Sequence, residues 1–323
     1  MGTESLAGMT VVVTGGTGFV GSAFVRRAIH DGAQVNVVAR SASNHWRLEG
    51  LRGRYTTLSV SLPQLAQLTL PGRAHADLMV HVAAEGVNQS FDDLDALVAT
   101  NVEGTVQALW FALRNRIRRF VLIGSSGEYG PGENLDESSR LNPNSEYGAT
   151  RAAATLLARS FAIRRGLDVV VVRPFAVYGP FEAPYRLIPY AILRGLLGEP
   201  IEISSGTQTR DYVHVDDVAE GIARASTFEA AANGIFNLCT GIQTPVGDAA
   251  ALVARLTGAG STVEKNARPP IPGEMWHTSG VPTLARTRLA WVPRFDLADG
   301  LSRTIDWFRS AGSQMSEYRS SPR

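Results

Sequence analysis

Apolar positions in the first half of the chain switch repeatedly between two rhythms. Short β-branched runs read as buried strands: Val11-Val12-Val13, residues 34–39 (QVNVVA), residues 78–84 (LMVHVAA), Phe120-Val121-Leu122-Ile123, and the all-valine residues 169–172. Between them the apolar positions take helical spacing. Phe19, Val20, Ala23, Phe24 and Val25 give one packed face to a helix ending near residues 28–30, and residues 94–113 carry such a face without a break. Another helix starts at Ser145-Glu146-Tyr147 and runs to Ala162. Strand, helix and strand recur within about thirty residues, as a βαβ unit requires. The predicted fold is α/β, a doubly wound, mainly parallel Rossmann sheet.

Residues 47–71 are less regular, with a third strand expected at 58–62. From Gly179 the alternation loosens and glycine and proline become frequent, which marks a smaller, irregular C-terminal lobe suited to substrate. It holds an expected helix at 187–197 and strands at 201–203 and 234–238, while a helix at 218–228 returns to the main sheet. The chain therefore divides into a dinucleotide-binding part, residues 1–178, completed by parts of 207–240, and a mainly substrate-binding part, 179–309, interleaved with it. Residues 310–323, rich in serine and arginine, read as a flexible tail.

Composition narrows the class further. Among 323 residues, 44% are hydrophobic, enough for a sizeable core, and 31 basic against 30 acidic residues leave no field for nucleic acid or an anionic membrane. One cysteine, Cys239, excludes an internal disulfide and fits a cytoplasmic setting. No stretch approaches a membrane span, and the six histidines lack ligand spacing, so no metal site is expected.

The candidate chemistry starts where the first strand breaks into glycines. Gly15, Gly18 and Gly21, in the order GxxGxxG, allow a sharp turn, a close backbone approach to a pyrophosphate and tight helix-on-strand packing, with the anion at the helix N-terminus. At the end of the second strand stands Arg40, followed by serines, where an acidic residue would hold the ribose hydroxyls of NAD. Its planar cation suits a 2′-phosphate, so NADP is favoured, with NAD as the alternative. His81, on an apolar strand, reads as a hydrogen-bonded core residue, and Arg114 to Arg119 as a solvated helix end. Asn101 lies mid-helix, where an amide needs a specific partner. Ser125 and Ser126 follow a buried strand, where ligands sit in parallel sheets. Tyr147 and Arg151, four apart, share one helix face.

Taken in order, Thr14 to Gly21 (TGGTGFVG), His81-Val82-Ala83-Ala84, Thr100-Asn101-Val102, Ser125-Ser126, Tyr147 with its helix, Arg173-Pro174-Phe175 and residues 210–217 (RDYVHVDD) carry a likeness. Over residues 9–309 the chain resembles the extended short-chain dehydrogenase/reductase superfamily, within it the NAD-dependent epimerase/dehydratase family acting on nucleotide sugars. The resemblance implies a tyrosine acting as acid/base on a sugar hydroxyl or carbonyl, a serine or threonine bonding the same oxygen, and a lysine four residues after the tyrosine that holds the nicotinamide ribose. Mapped by motif, Tyr147 is the acid/base, Ser125 with Ser126 is the hydroxyl partner, and Arg151 replaces the lysine. Its guanidinium supplies the charge in a larger, planar form that does not release a proton. The coenzyme contacts implied are Gly15, Thr17, Gly18, Phe19, Val20 and Gly21, with Arg40, Ala83, Ala84, Asn101, Tyr147, Arg151 and Pro174. On the substrate side stand Ser126, Glu128, Arg210 and Arg286, with Arg268 as a further candidate; Arg210 matches a residue that often binds the substrate diphosphate.

Two departures matter. The dehydratase branch places Asp and Glu directly after the hydroxyl residue, whereas here Ser126 and Gly127 stand there and Glu128 comes one residue late. Ala176 stands where an asparagine commonly meets the diphosphate. The expected function is NADP-linked reduction of a 4-keto deoxysugar nucleotide. The alternatives are an NAD-retaining nucleotide-sugar epimerase and, because of Arg151, a cofactor-binding protein without redox turnover. A homodimer built through helices 94–113 and 147–162 is implied by the resemblance.

Overall fold

The apolar runs become the strands of one sheet. The computed structural model describes residues 5–70, 76–86, 93–269 and 274–311; most of the expected tail, from residue 312 on, lies outside them. The first half runs β1 (Thr10–Thr14), α1 (Phe19–His30), β2 (Gln34–Ala39), β3 (Tyr55–Ser59), β4 (Leu78–His81), α2 (Leu94–Leu97), a π turn (Val98–Glu103), α3 (Gly104–Arg114), β5 (Arg119–Ile123), β6 (Gly132–Leu135) and α4 (Glu146–Arg165). Then follow β7 (Asp168–Pro174), β8 (Ala176–Tyr178), α5 (Leu187–Leu196), β9 (Ile201–Glu202), β10 (Thr209–Arg210), β11 (Tyr212–His214), α6 (Val215–Thr227) and β12 (Ile235–Leu238). The last part holds β13 (Thr244–Pro245), α7 (Val246–Thr257), β14 (Val263–Glu264), β15 (Thr278–Gly280), α8 (Thr283–Arg288) and α9 (Leu297–Ser310).

Seven strands form a parallel sheet in the order β12-β7-β5-β4-β1-β2-β3. The chain winds outward from β1 in both directions, so the switch point falls between β1 and β4, where Thr14 is in register with His81. Both faces are covered, which is why the strands read as unbroken apolar runs. Val11 and Val13 pack toward α1 and α6, and Val12 packs on the other face with Ala108, Leu109 and Phe111 of α3 and Ala158 of α4. A separate cluster, including Tyr178, Ile192, Ile201, Tyr212, Val253 and Ile305, forms a further core built from residues outside the seven-stranded sheet.

Several elements differ from expectation, each for a physical reason. The third strand is Tyr55–Ser59 rather than 58–62; as an edge strand beside β2 it leaves its threonines exposed, so no apolar rhythm marks it. The long helix at 94–113 carries a π turn centred on buried Asn101, a feature frequent at functional sites. Arg119 is not a solvated helix end. It opens β5 in register with Asp168, is 5% exposed, and pairs with that carboxylate at 2.7 Å while donating to the carbonyls of Ala225 and Phe228.

Candidate active site

Helix α1 begins without a side-chain cap and with no acidic residue in its first turn. Its N-terminal amides are thus left for an anion. Gly15 adopts φ 68°, and a Cβ there would press on the backbone of Ala83; a Cβ on Gly21 would collide with the carbonyl of Gly15. The turn after β1, the segment after β4 and the start of α1 therefore meet at backbone distance, a cradle that fits a dinucleotide pyrophosphate. Thr17, Gly18, Phe19, Val20, Ala83 and Ala84 are all half-buried along it, and Pro174 is buried at the end of β7. Arg40 is exposed just past β2, with no carboxylate among residues 39–44.

Helix α4 carries the other candidates. Ser145 caps it, accepting from the Gly148 amide at 3.1 Å, and Gly166 ends it at φ 70°. Gly148 has no room for a Cβ against the carbonyl of Gly127, so the helix start lies directly on the turn Ser126–Glu128. This close approach sets Tyr147 and Ser125 on either side of one glycine: the position a Cβ on Gly127 would take is 3.3 Å from Ser125 Oγ and 3.8 Å from Tyr147 Cδ1. Both side chains are half-buried. Ser125 Oγ accepts the Gly127 amide at 3.0 Å, which leaves its own proton free to donate outward.

One turn further along α4, Arg151 is 1% exposed, and its Nε and Nη1 are buried without a hydrogen-bond partner among the described residues. Thr155 Oγ1, the next turn on, is also unpartnered. The neighbouring imidazole offers no counter-charge. His81 is fully buried between Thr14 Oγ1, 2.7 Å from its Nδ1, and Thr105 Oγ1, 3.1 Å from its Nε2. Thr105 spends its proton on the Asn101 carbonyl, so His81 must donate from Nε2 and accept at Nδ1. Burial, and secondarily the charge of Arg151, push its pKa down to about 3, so it is neutral. A buried, unpaired cation costs several kcal/mol. Arg151 is therefore a group awaiting an electron-rich partner, and a coenzyme ribose and a phenolate both fit that need.

Other expected residues are placed differently. Asn101 is fully buried and closed on the protein: it accepts from the Glu85 amide at 2.9 Å and donates to the Glu85 carbonyl and to Thr150 Oγ1. It shapes the segment after β4 and ties it to α4. Glu128 does not face the cleft. It is 0% exposed, because Oε1 accepts the Ser125 amide at 3.0 Å and Oε2 accepts from Arg173 Nε at 2.9 Å. Ser126 is buried behind Ser125 at 6% exposure. On β10, Arg210 pairs with Glu274 at 3.1 Å and donates to the carbonyls of Thr209 and Met275. Arg286 is exposed on α8, and Arg268 lies over the Tyr190 ring. Sequence reasoning missed the roles of Gly127 and Gly148 and of Arg173, although glycines flanking a serine and a tyrosine are a readable sign of close backbone approach.

A doubly wound sheet with a glycine cradle at its first crossover, and a serine close by a tyrosine that a buried cation follows by four residues, defines an extended short-chain dehydrogenase/reductase. The chain belongs to the NAD-dependent epimerase/dehydratase family, whose sequence profile matches residues 11–239. A dTDP-glucose 4,6-dehydratase of Streptomyces niveus is 32% identical over 317 residues, covering 93% of each chain. The crystal structure of UDP-glucose 4-epimerase from Thermotoga maritima with UDP-glucose superposes at a TM-score of 0.86 and 28% identity, over 94% of this chain and 99% of that one. A dTDP-glucose 4,6-dehydratase double mutant from Streptomyces venezuelae, solved with NAD bound, gives 0.82 and 29%, over 94% and 97%.

Proposed function

We propose that the protein reduces the keto group of a 4-keto deoxysugar nucleotide, with NADP(H) as the coenzyme. The observation that carries this reading is Arg40, exposed beyond β2 with serines beside it and no carboxylate among residues 39–44 to hold an unphosphorylated ribose. Loss of water by the 4,6-dehydratase route is disfavoured by Glu128, whose carboxylate is spent on Arg173 and the Ser125 amide. The coenzyme, when bound, supplies hydride. It is held by Gly15 to Gly21 at the pyrophosphate, Arg40 at the 2′-phosphate and Arg151 at the nicotinamide ribose. Tyr147 gives its proton to the substrate oxygen, Ser125 donates a hydrogen bond to that oxygen, and Arg151 balances the phenolate left behind. Arg210 takes the diphosphate, which enters by exchange with the Glu274 carboxylate. Leu156, Leu157 and Ile163 stand exposed on α4, with Leu94 and Val98 exposed at the start of the neighbouring helix, and a second copy covers this face in a homodimer.

The test is spectrophotometric: purified protein, a 4-keto-6-deoxy nucleotide sugar, and NADPH or NADH. The expected result is oxidation of NADPH at least about tenfold more efficient than of NADH, a preference of ~1.4 kcal/mol that R40A abolishes. Tightly bound NAD in the purified protein, with sugar isomerised and no added coenzyme consumed, would instead establish the epimerase reading.

A further inference from the structure

We propose that Glu128 is a positioning residue that sets the Ser125 hydroxyl from beneath the site; this rests on the reading of Ser125 as the group that bonds the reacting oxygen. The carboxylate divides its two oxygens between different tasks. Oε1 accepts the Ser125 backbone amide, and Oε2 takes Arg173 through both Nε at 2.9 Å and Nη2 at 2.8 Å. Ser125 returns the bond by accepting the Gly127 amide on its side chain, which closes the turn as a reciprocal capping box. An ion pair serving stability alone has no need to pin the backbone of that serine.

The charge is held in turn. Arg173 Nη1 donates to Tyr129 Oη at 2.8 Å, that hydroxyl donates to Asn237 Oδ1 at 2.8 Å, and Asn237 is fastened to the Leu135 carbonyl and the Glu137 carboxylate. Glu128, Tyr129, Arg173 and Asn237 are all at most 2% exposed, so none of them meets substrate. A Cβ at Gly124 would strike Glu128 Oε1, and only glycine there lets the carboxylate pass under the strand end. The chain of bonds thus runs from β12 across β7 to the tip of β5, and its last member fixes the backbone from which the Ser125 hydroxyl projects.

The experiment compares wild type, E128Q, Y129F, S125A and the E128Q/S125A double variant in NADPH oxidation, with coenzyme affinity by calorimetry and amide exchange over the peptide containing Ser125. A glutamine presents an N–H where an acceptor is needed, so either Ser125 or Arg173 loses its partner. E128Q is expected to lower kcat about 10- to 100-fold, as misplacement of a reacting group does, with KM and coenzyme Kd within about twofold. Exchange at the Ser125 amide should rise about tenfold. Y129F should show the same pattern more weakly, and it keeps the comparison available if E128Q does not fold. In the S125A background E128Q should slow turnover no further. An unchanged kcat in E128Q, an unchanged amide exchange, or full additivity with S125A overturns the proposal. An S125A protein as fast as wild type would instead remove the reading of Ser125 itself.

Discussion

Arg173 under Ser125 and Arg151 under Tyr147 are equally hidden from solvent, at 2% and 1% exposure, yet their surroundings are opposite. Arg173 has a carboxylate and a phenol on its nitrogens, whereas Arg151 Nε and Nη1 have no hydrogen-bond partner among the described residues. A buried charge in a complete network belongs to the frame of the protein. A buried charge with no partner is kept at a cost in stability that only a ligand or a reacting group recovers. Glu182, 5% exposed, falls between the two: Arg186 reaches one oxygen at 3.5 Å, and the other oxygen has no hydrogen-bond partner among the described residues.

The largest expected effect lies on the satisfied side. R173M strands the Glu128 carboxylate and should cost about 3–5 kcal/mol in denaturant unfolding. If R173M were as stable as wild type, the contrast would collapse. Next comes a pH dependence from Glu182, whose pKa burial raises to about 8 against the pull of Arg186. Because the folded state holds this proton and the unfolded state releases it near 4.5, stability should fall as pH rises from about 4.5 to 8, by on the order of a few kcal/mol. E182Q should flatten that slope in unfolding curves taken at several pH values.

On the unsatisfied side the sign reverses. R151M should leave the ligand-free protein as stable as wild type or more stable by up to about 2 kcal/mol, while the thermal shift produced by NADP(H) shrinks. A loss of stability matching that of R173M would mean that Arg151 is also part of the frame. The smallest effect sharpens the comparison: R151K restores a compact ammonium and should raise kcat about tenfold, ~1.4 kcal/mol, without moving the unfolding midpoint.

Much of this was legible in the chain. The valine runs announced strands covered on both faces, and the glycines at 15, 18 and 21 announced a turn that only Cβ-free residues make. The shared helix face of Tyr147 and Arg151 follows from helical spacing. The edge strand Tyr55–Ser59 escaped because exposed threonines carry no apolar rhythm, and the π turn at Asn101 escaped because its neighbours still looked helical. Glu128 read as a substrate contact because nothing local shows which way a carboxylate turns.

Periodicity, glycine placement and spacing along one helix act within a few residues, so the amino-acid sequence alone specified the sheet, the cradle and the order of the candidate catalytic side chains. Which buried charges are neutralised was decided only by tertiary structure. Glu128 meets an arginine 45 residues away, and Arg151 Nε and Nη1 meet no hydrogen-bond partner among the described residues. Partnership across such distances depends on how strands and helices stack, and it leaves no periodic trace in the chain.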